Sequence, residues 1–350
     1  MKNQYVADIG DYGKYSMLKH FEDAGIRIGI NWYLTKDDDS NDGRFVRYLA
    51  DEKKRMYDPE IFDALKKLYE KDRRSVYEVE KSKLFQNVRY YNEIMEFCGS
   101  SSERVFLREK WHKKAVQKFE DSDLVFLDPD NGLLVNGNTS KKGSEKFVLP
   151  QEVLEYYKTR HNVVFYCHKG RRTQEQWEDY KRFMHNMISY SETFGITFHK
   201  GTQRSYIFLI HPKDYEKYQL IINSVIEDWN GVFTNEEIDI SPRLKTVYNG
   251  LQKYIFEKYP RYDDLFTFLD SNGMVVHNYF DFVSSQPIDV DYELKKLETT
   301  DIEKCSALLT MLFREGHFSE GSFDRHWSKG EVQMVIRRLM MLIYQKTECK

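Results

Sequence analysis

Cysteine is scarce in this chain, and apolar runs of membrane length are missing. The four cysteines, Cys98, Cys167, Cys305 and Cys349, are scattered over 350 residues and form no Cys-x-x-Cys pair. That argues against a structural zinc site. Few thiols suit a reducing compartment, and Met1 to Asp8 lack the apolar core of a signal peptide, so a cytoplasmic location is expected. No apolar stretch approaches the ~20 residues that span a bilayer, so no membrane association is expected. A strong basic excess is missing as well. With a net charge of −3, any nucleic acid must be held by a local basic patch. Internal repeats and low-complexity tracts are absent, and so are a P-loop and a dinucleotide fingerprint.

What is present is enough apolar material for real cores, 41% of residues, with aromatics at 15%. Aromatic side chains can stack on bases, although large aromatic cores are the more ordinary use. Two domains fit the length: an α/β domain over residues 1–230 and a mainly helical one over 243–350.

Asp123-Leu-Val-Phe-Leu-Asp128-Pro129-Asp130-Asn131-Gly132 is the most informative segment. Leu124 to Leu127 read as a buried strand of a parallel sheet. Pro129 and Gly132 then force a turn. Ligands of open α/β sheets bind beyond the carboxyl ends of the strands, so Asp128, Asp130 and Asn131 stand where chemistry is expected. The turn could orient side chains toward a base or bind a hard cation. Phe165-Tyr-Cys-His168-Lys169-Gly-Arg171-Arg172 ends another apolar strand, Asn162 to Cys167. His168 titrates near neutrality in an ordinary setting, and the three cations form a patch for phosphates. Asp8-Ile-Gly10-Asp-Tyr12-Gly-Lys14 offers close backbone approach and a cation. The bland reading there is a tight loop ahead of a helix starting near Lys14.

Further expectations follow from pattern. Strands are expected at Arg27–Leu34, Ser75–Val79, Gly195–His199 and Arg204–Ile210, the last two as a hairpin. Helices are expected at Asp58–Lys71, Ser82–Phe97, Pro150–Tyr157, Thr173–Ser189, Pro212–Trp229 and Gly330–Gln345. Residues 230–242 read as a linker. Glu78 and Glu80, near a strand end, are placed to accept hydrogen bonds from a ribose. The acidic loop Asp37 to Asp42 reads as a solvated turn.

Leu124-Val-Phe-Leu-Asp128-Pro129 is similar to the strand and motif start of Rossmann-like, S-adenosylmethionine-dependent adenine-N6 methyltransferases. Asp8 to His20, ending Leu-Lys-His, resembles the opening of a branch that methylates ribosomal RNA, and Arg204 to Ile210 fits that fold's terminal hairpin. Asp130 and Asn131 stand where the family has proline and an aromatic, and no Gly-x-Gly follows Asn31. The pattern as a whole also looks like a bacterial family of unknown activity. Leu308 to Gly321 with Gly330 and Ile336-Arg-Arg-Leu339 is similar to a bacterial helical domain of unknown function, in which Arg314, Glu320 and Arg338 are expected to be ion-paired scaffolding. A partner-binding or nucleic-acid-binding role for that part is the alternative.

The resemblance implies a Rossmann-like, mostly parallel sheet ending in an antiparallel hairpin, and a methyltransferase-like activity on nucleic acid. Asp8, Gly10, Asn31, Gly43 and Glu80 would face S-adenosylmethionine. Tyr12, Lys14, Lys169, Arg171 and Arg172 would hold the substrate, and Asp128, Asp130, Asn131 and His168 would act on it. The alternative is a nuclease or phosphohydrolase, for instance a phage-defence effector, with Mg²⁺ on Asp8, Asp128 and Asp130. A third reading is a non-catalytic nucleotide- or partner-binding protein.

Overall fold

The computed structural model describes residues 1–38, 43–258, 260–277, 279–285, 287–319 and 321–348. Cys349, Glu320 and residues 39–42 of the acidic loop therefore lie outside the described residues.

The described strands form one seven-stranded sheet, in the order β2-β1-β3-β4-β6-β5-β7. They are β1 (Ile28–Asn31), β2 (Val88–Tyr91), β3 (Leu124–Leu127), β4 (Asn162–Cys167), β5 (Glu192–Phe198), β6 (Arg204–Ile210) and β7 (Phe233–Glu236). The first four run parallel, and β6, β5 and β7 each run antiparallel to their neighbours. The sheet is thus mixed rather than mostly parallel. The difference comes from β7, which lies inside the expected linker. Its Thr234 and Asn235 are exposed and only Phe233 is buried, so as an edge strand it carries no apolar run.

Helices cover both faces. On one face lie α1 (Ile9–Asp23), α2 (Pro59–Glu70) and α3 (Val76–Lys81). On the other lie α4 (Ser101–Lys118), α5 (Pro150–Lys158) and α6 (Gln174–Met187). Next, α7 (Tyr215–Asp228) returns to the first face. The remaining helices, among them α8 (Ser241–Phe256), α9 (Ile302–Phe318) and α10 (Glu331–Glu348), extend the core of the second face. Val332, Val335, Ile336, Leu339 and Ile343 of α10 are all buried in that core, as their helical spacing predicts. A buried contact between His211 Nδ1 and Glu303 Oε1, 2.8 Å long, ties the end of β6 to α9. No helix among the described residues is long and apolar enough to cross a membrane.

Two expected elements change type. Ser75–Val79 is not a strand, because the Ser75 hydroxyl caps α3 by accepting from the Glu78 amide, and Val76 and Val79 share one buried face. Ser82–Phe97 is not a helix, because it holds β2. The helix expected near Lys14 starts five residues earlier at Ile9. There the Asp8 carboxylate accepts from the Gly10 amide at 2.6 Å and, more weakly, from the Asp11 amide at 3.4 Å. Two glycines let α1 lie close on the sheet. A Cβ at Gly13 would come within 2.5 Å of the Phe198 ring. Gly13→Ala should cost about 1–3 kcal/mol through overpacking, and a urea melt unchanged within error would show that α1 tolerates a larger spacing.

Candidate active site

Strand alternation builds the site. Leu124 and Phe126 face α1, so Asp128, two residues on, faces α1 as well. By the same period Tyr166 on β4 and Arg204 and Tyr206 on β6 point to that side. The N-terminus of α1 crosses above them. Together they enclose a cavity of about 300 Å³ lined by Asp8, Gly10, Asp11, Lys14, Gly43, Asp128, Asp130, Tyr166, Arg204 and Tyr206, with Tyr5 and Phe45 at its side.

Charge governs this cavity. Lys14 Nζ lies 2.7 Å from Asp11 Oδ1 and 2.7 Å from Asp128 Oδ2, with all three side chains buried. Burial alone would lower the lysine's affinity for its proton, but the two carboxylates reverse that and raise its pKa. Burial also raises the pKa of Asp128, against the pull of Lys14 and the Met1 ammonium, and raises that of Asp11. Both directions follow from two acids sharing one lysine in a dry site. Asp8 pairs with Arg204 Nη2 at 3.0 Å. The Met1 ammonium lies 2.6 Å from Asp130 Oδ1. The same ammonium donates to the Tyr33 and Asp128 carbonyls. Four carboxylates thus face three cations. The buried Tyr206 hydroxyl has no partner among the described residues. Two non-glycine residues beside the cavity, Ala7 and Tyr33, have φ of 66° and 45°, left-handed backbone that a surrounding structure must hold in place.

Of the residues singled out from sequence, Asp8, Gly10, Lys14, Gly43, Asp128 and Asp130 line this cavity. The others are spent elsewhere or stand beside it. Asn31 Nδ2 donates to the Tyr156 hydroxyl at 3.2 Å and its Oδ1 accepts from the Tyr33 amide. Glu80 lies on α3, not at a strand end, and accepts from Trp32 Nε1 at 2.9 Å and Asn92 Nδ2 at 2.8 Å. Burial raises its pKa. The Tyr12 hydroxyl faces away, donating to the Lys54 carbonyl at 2.8 Å. Asn131 is half-buried and its amide donates to the Lys146 carbonyl.

The His168 loop does share the rim, because Gly132 packs against Cys167 and Tyr180. His168 Nδ1 is 3.4 Å from the Tyr166 hydroxyl. Burial, with Arg172 and Arg204 adding to it, lowers its pKa. Lys169 donates to Gln174, Arg172 lies over the Tyr180 ring, and Arg171 is exposed. In the C-terminal part, Arg338 donates to the Thr300 carbonyl and Arg314 lies over the Tyr279 and Phe280 rings, contacts other than the ion pairs expected.

Sequence reasoning missed Asp11, Tyr166, Arg204 and Tyr206. The signal that could have found Arg204 and Tyr206 is their period-two spacing on a strand neighbouring β4. The proposed Mg²⁺ set of Asp8, Asp128 and Asp130 has each carboxylate already paired with Arg204, Lys14 or the Met1 ammonium. No group of three His, Cys, Asp or Glu among the described residues is arranged to hold a metal ion.

The sequence pattern of a family of unknown function, DUF6508, matches residues 231–345, from two residues before β7 into α10. No curated protein and no solved structure matches the chain.

Proposed function

We propose that the α/β part is a divergent, Rossmann-like methyltransferase domain that takes S-adenosylmethionine and acts on nucleic acid in the cytoplasm. One observation carries the reading. The two segments that carry the family resemblance, Asp8 to Lys14 and Asp128 to Asp130, meet in one cavity, although Lys14 and Asp128 are 114 positions apart in sequence. The strand order also supports it. β2-β1 and β3-β4 run outward from the middle of the parallel part, the arrangement that places ligands beyond the carboxyl ends of the strands.

The cavity's chemistry suits such a cofactor in part. A volume of about 300 Å³ lies at the small end of ligand pockets. Tyr5, Phe45 and Tyr166 offer aromatic walls, and the excess of carboxylates favours a positively charged occupant. Asn31 and Glu80 do not reach it, so binding falls to Asp8, Gly10, Lys14 and Gly43. When bound, the cofactor supplies an electrophilic methyl group. The chain's own part is positioning. Asp128 uses Oδ2 for Lys14, leaving Oδ1 to accept from a target amine. Tyr206 contributes a hydroxyl to a polar atom of either ligand. Arg171 and the neighbouring cations hold phosphates outside the cavity.

Calorimetry with S-adenosylmethionine tests this. Saturable binding is expected, weakened at least about tenfold in Asp8→Asn by loss of a charged partner. An absence of heat from the wild-type protein under conditions where it is folded would end the reading.

A further inference from the structure

A second cavity, of about 370 Å³, lies at the opposite end of the sheet, against the residues that precede β3 and β4. We propose that it binds the terminal phosphate of a small phosphate monoester, and that His161 takes up a proton as the phosphate binds.

His161 is only 4% exposed and lines this cavity. Its Nδ1 is 2.7 Å from the Ser122 carbonyl oxygen. A carbonyl only accepts, so Nδ1 carries the hydrogen and Nε2 of the neutral ring presents a lone pair. Nε2 has no partner among the described residues. The Ser122 hydroxyl, on the same wall, is buried without a partner too. A buried hydroxyl left unsatisfied is costly unless a ligand or water completes it.

The mouth of the cavity is cationic. Lys213, Lys217 and Arg160 line it, and among the described residues none of them has a carboxylate within ion-pair distance. Arg160 instead lies over the Phe282 ring, 4.6 Å from its centre. α7 follows directly on the turn Pro212–Asp214, which brings Lys213 and Lys217 to the same side of the cavity. The acids nearby are largely engaged or outside. Asp123 is held by Arg27 at 2.6 Å, Asp214 accepts from Asn162 at 2.9 Å, and Glu120 is exposed. Behind the ring stands His211, whose charge opposes that of His161, while Asp123 favours it. An anion seated between the lysines and Nε2 adds the negative charge that tips His161 to its protonated, doubly donating form.

Sulfate separates this from simple charge attraction, because it carries no proton between pH 6 and 8 and cannot donate to a neutral Nε2. Titration of the full chain with sulfate should show saturable binding that tightens at least about fivefold from pH 8 to pH 6, because burial lowers the pKa of the free His161 ring and a bound anion raises it. His161→Gln, whose amide donates at any pH, should still bind but lose that dependence. Lys213→Gln with Lys217→Gln should weaken sulfate and ribose 5-phosphate alike by about tenfold. Binding that is unsaturable, independent of pH in the wild-type protein, or unaffected by the lysine changes would overturn the proposal. So would tighter binding of a single-stranded oligonucleotide without a terminal phosphate than of ribose 5-phosphate, which would assign the site to a nucleic-acid backbone.

Discussion

Lys14→Met should destabilise the protein by about 3–5 kcal/mol at pH 7, read as a shifted urea midpoint with an unchanged slope. The substitution keeps most of the side-chain volume and removes the charge. Asp11 and Asp128 are then left buried, and their one shared cation is gone. Both already sit above the usual carboxylate range because of burial, and without Lys14 they rise further. A carboxyl whose pKa is higher folded than unfolded holds its proton more tightly in the folded state. It is harmless to folding below its unfolded value and penalises folding increasingly as pH rises toward and through the folded value. The gap between variant and wild type should therefore narrow as pH falls toward 4 and widen toward 7. A gap that stays constant over that range would mean that the lysine acts through packing alone.

Arg108→Met should cost a similar amount, about 3–5 kcal/mol at neutral pH. Arg108 is buried on α4 and grips Glu152 of α5 with two bonds, of 2.6 and 2.9 Å. It also donates to the Ser144 carbonyl at 2.9 Å and the Phe147 carbonyl at 2.6 Å. One guanidinium thereby fastens the loop that follows the Asp128 turn. Burial would raise the Glu152 pKa, but Arg108 more than offsets this and holds it below the usual range. A depressed carboxylate favours folding above its unfolded value, and that stability is lost as pH falls through the folded value. In the variant the sign reverses, since an unpaired buried Glu152 is raised. The deficit should therefore shrink on acidification. Adding Glu152→Gln should restore part of the loss at pH 7, because it removes the stranded charge and keeps an oxygen for the Tyr33 hydroxyl. No recovery in the double variant would place the whole effect in the loop carbonyls.

Much of the α/β pattern was legible where burial is simple. β3 is apolar throughout and β4 and β6 carry long apolar runs, and α2 opens on Asp58-Pro59, so their limits agree with expectation. α4 escaped because its buried face holds Arg108 and His112 beside Trp111 and Ala115, and polar residues erase the apolar period. Residues 75–97 were read with types exchanged, because Val76, Tyr77 and Val79 are strand-favouring side chains. Packing of Val76 and Val79 on one side of a short helix decided otherwise. In the site, local motifs found Asp8, Lys14 and Asp128 but not that Lys14 would reach across to Asp128. Local spacing carries no information on a contact made across α1 and β3. The same limit hid the use of Asn31, Glu80 and Tyr12 as internal ties, since a side chain's partner rather than its type decides whether it is available.

β7 has a consequence for how the chain divides. The stretch that matches DUF6508 starts at residue 231, two residues before β7, which pairs with β5 from Gly195 to Phe198. The seam between the two halves therefore runs between two hydrogen-bonded strands, not through open solvent. A protein ended at residue 230 would present the bare amides and carbonyls of β5 to any strand it met, and would be expected to self-associate. The helical half also acts as a guard on the sheet's margin.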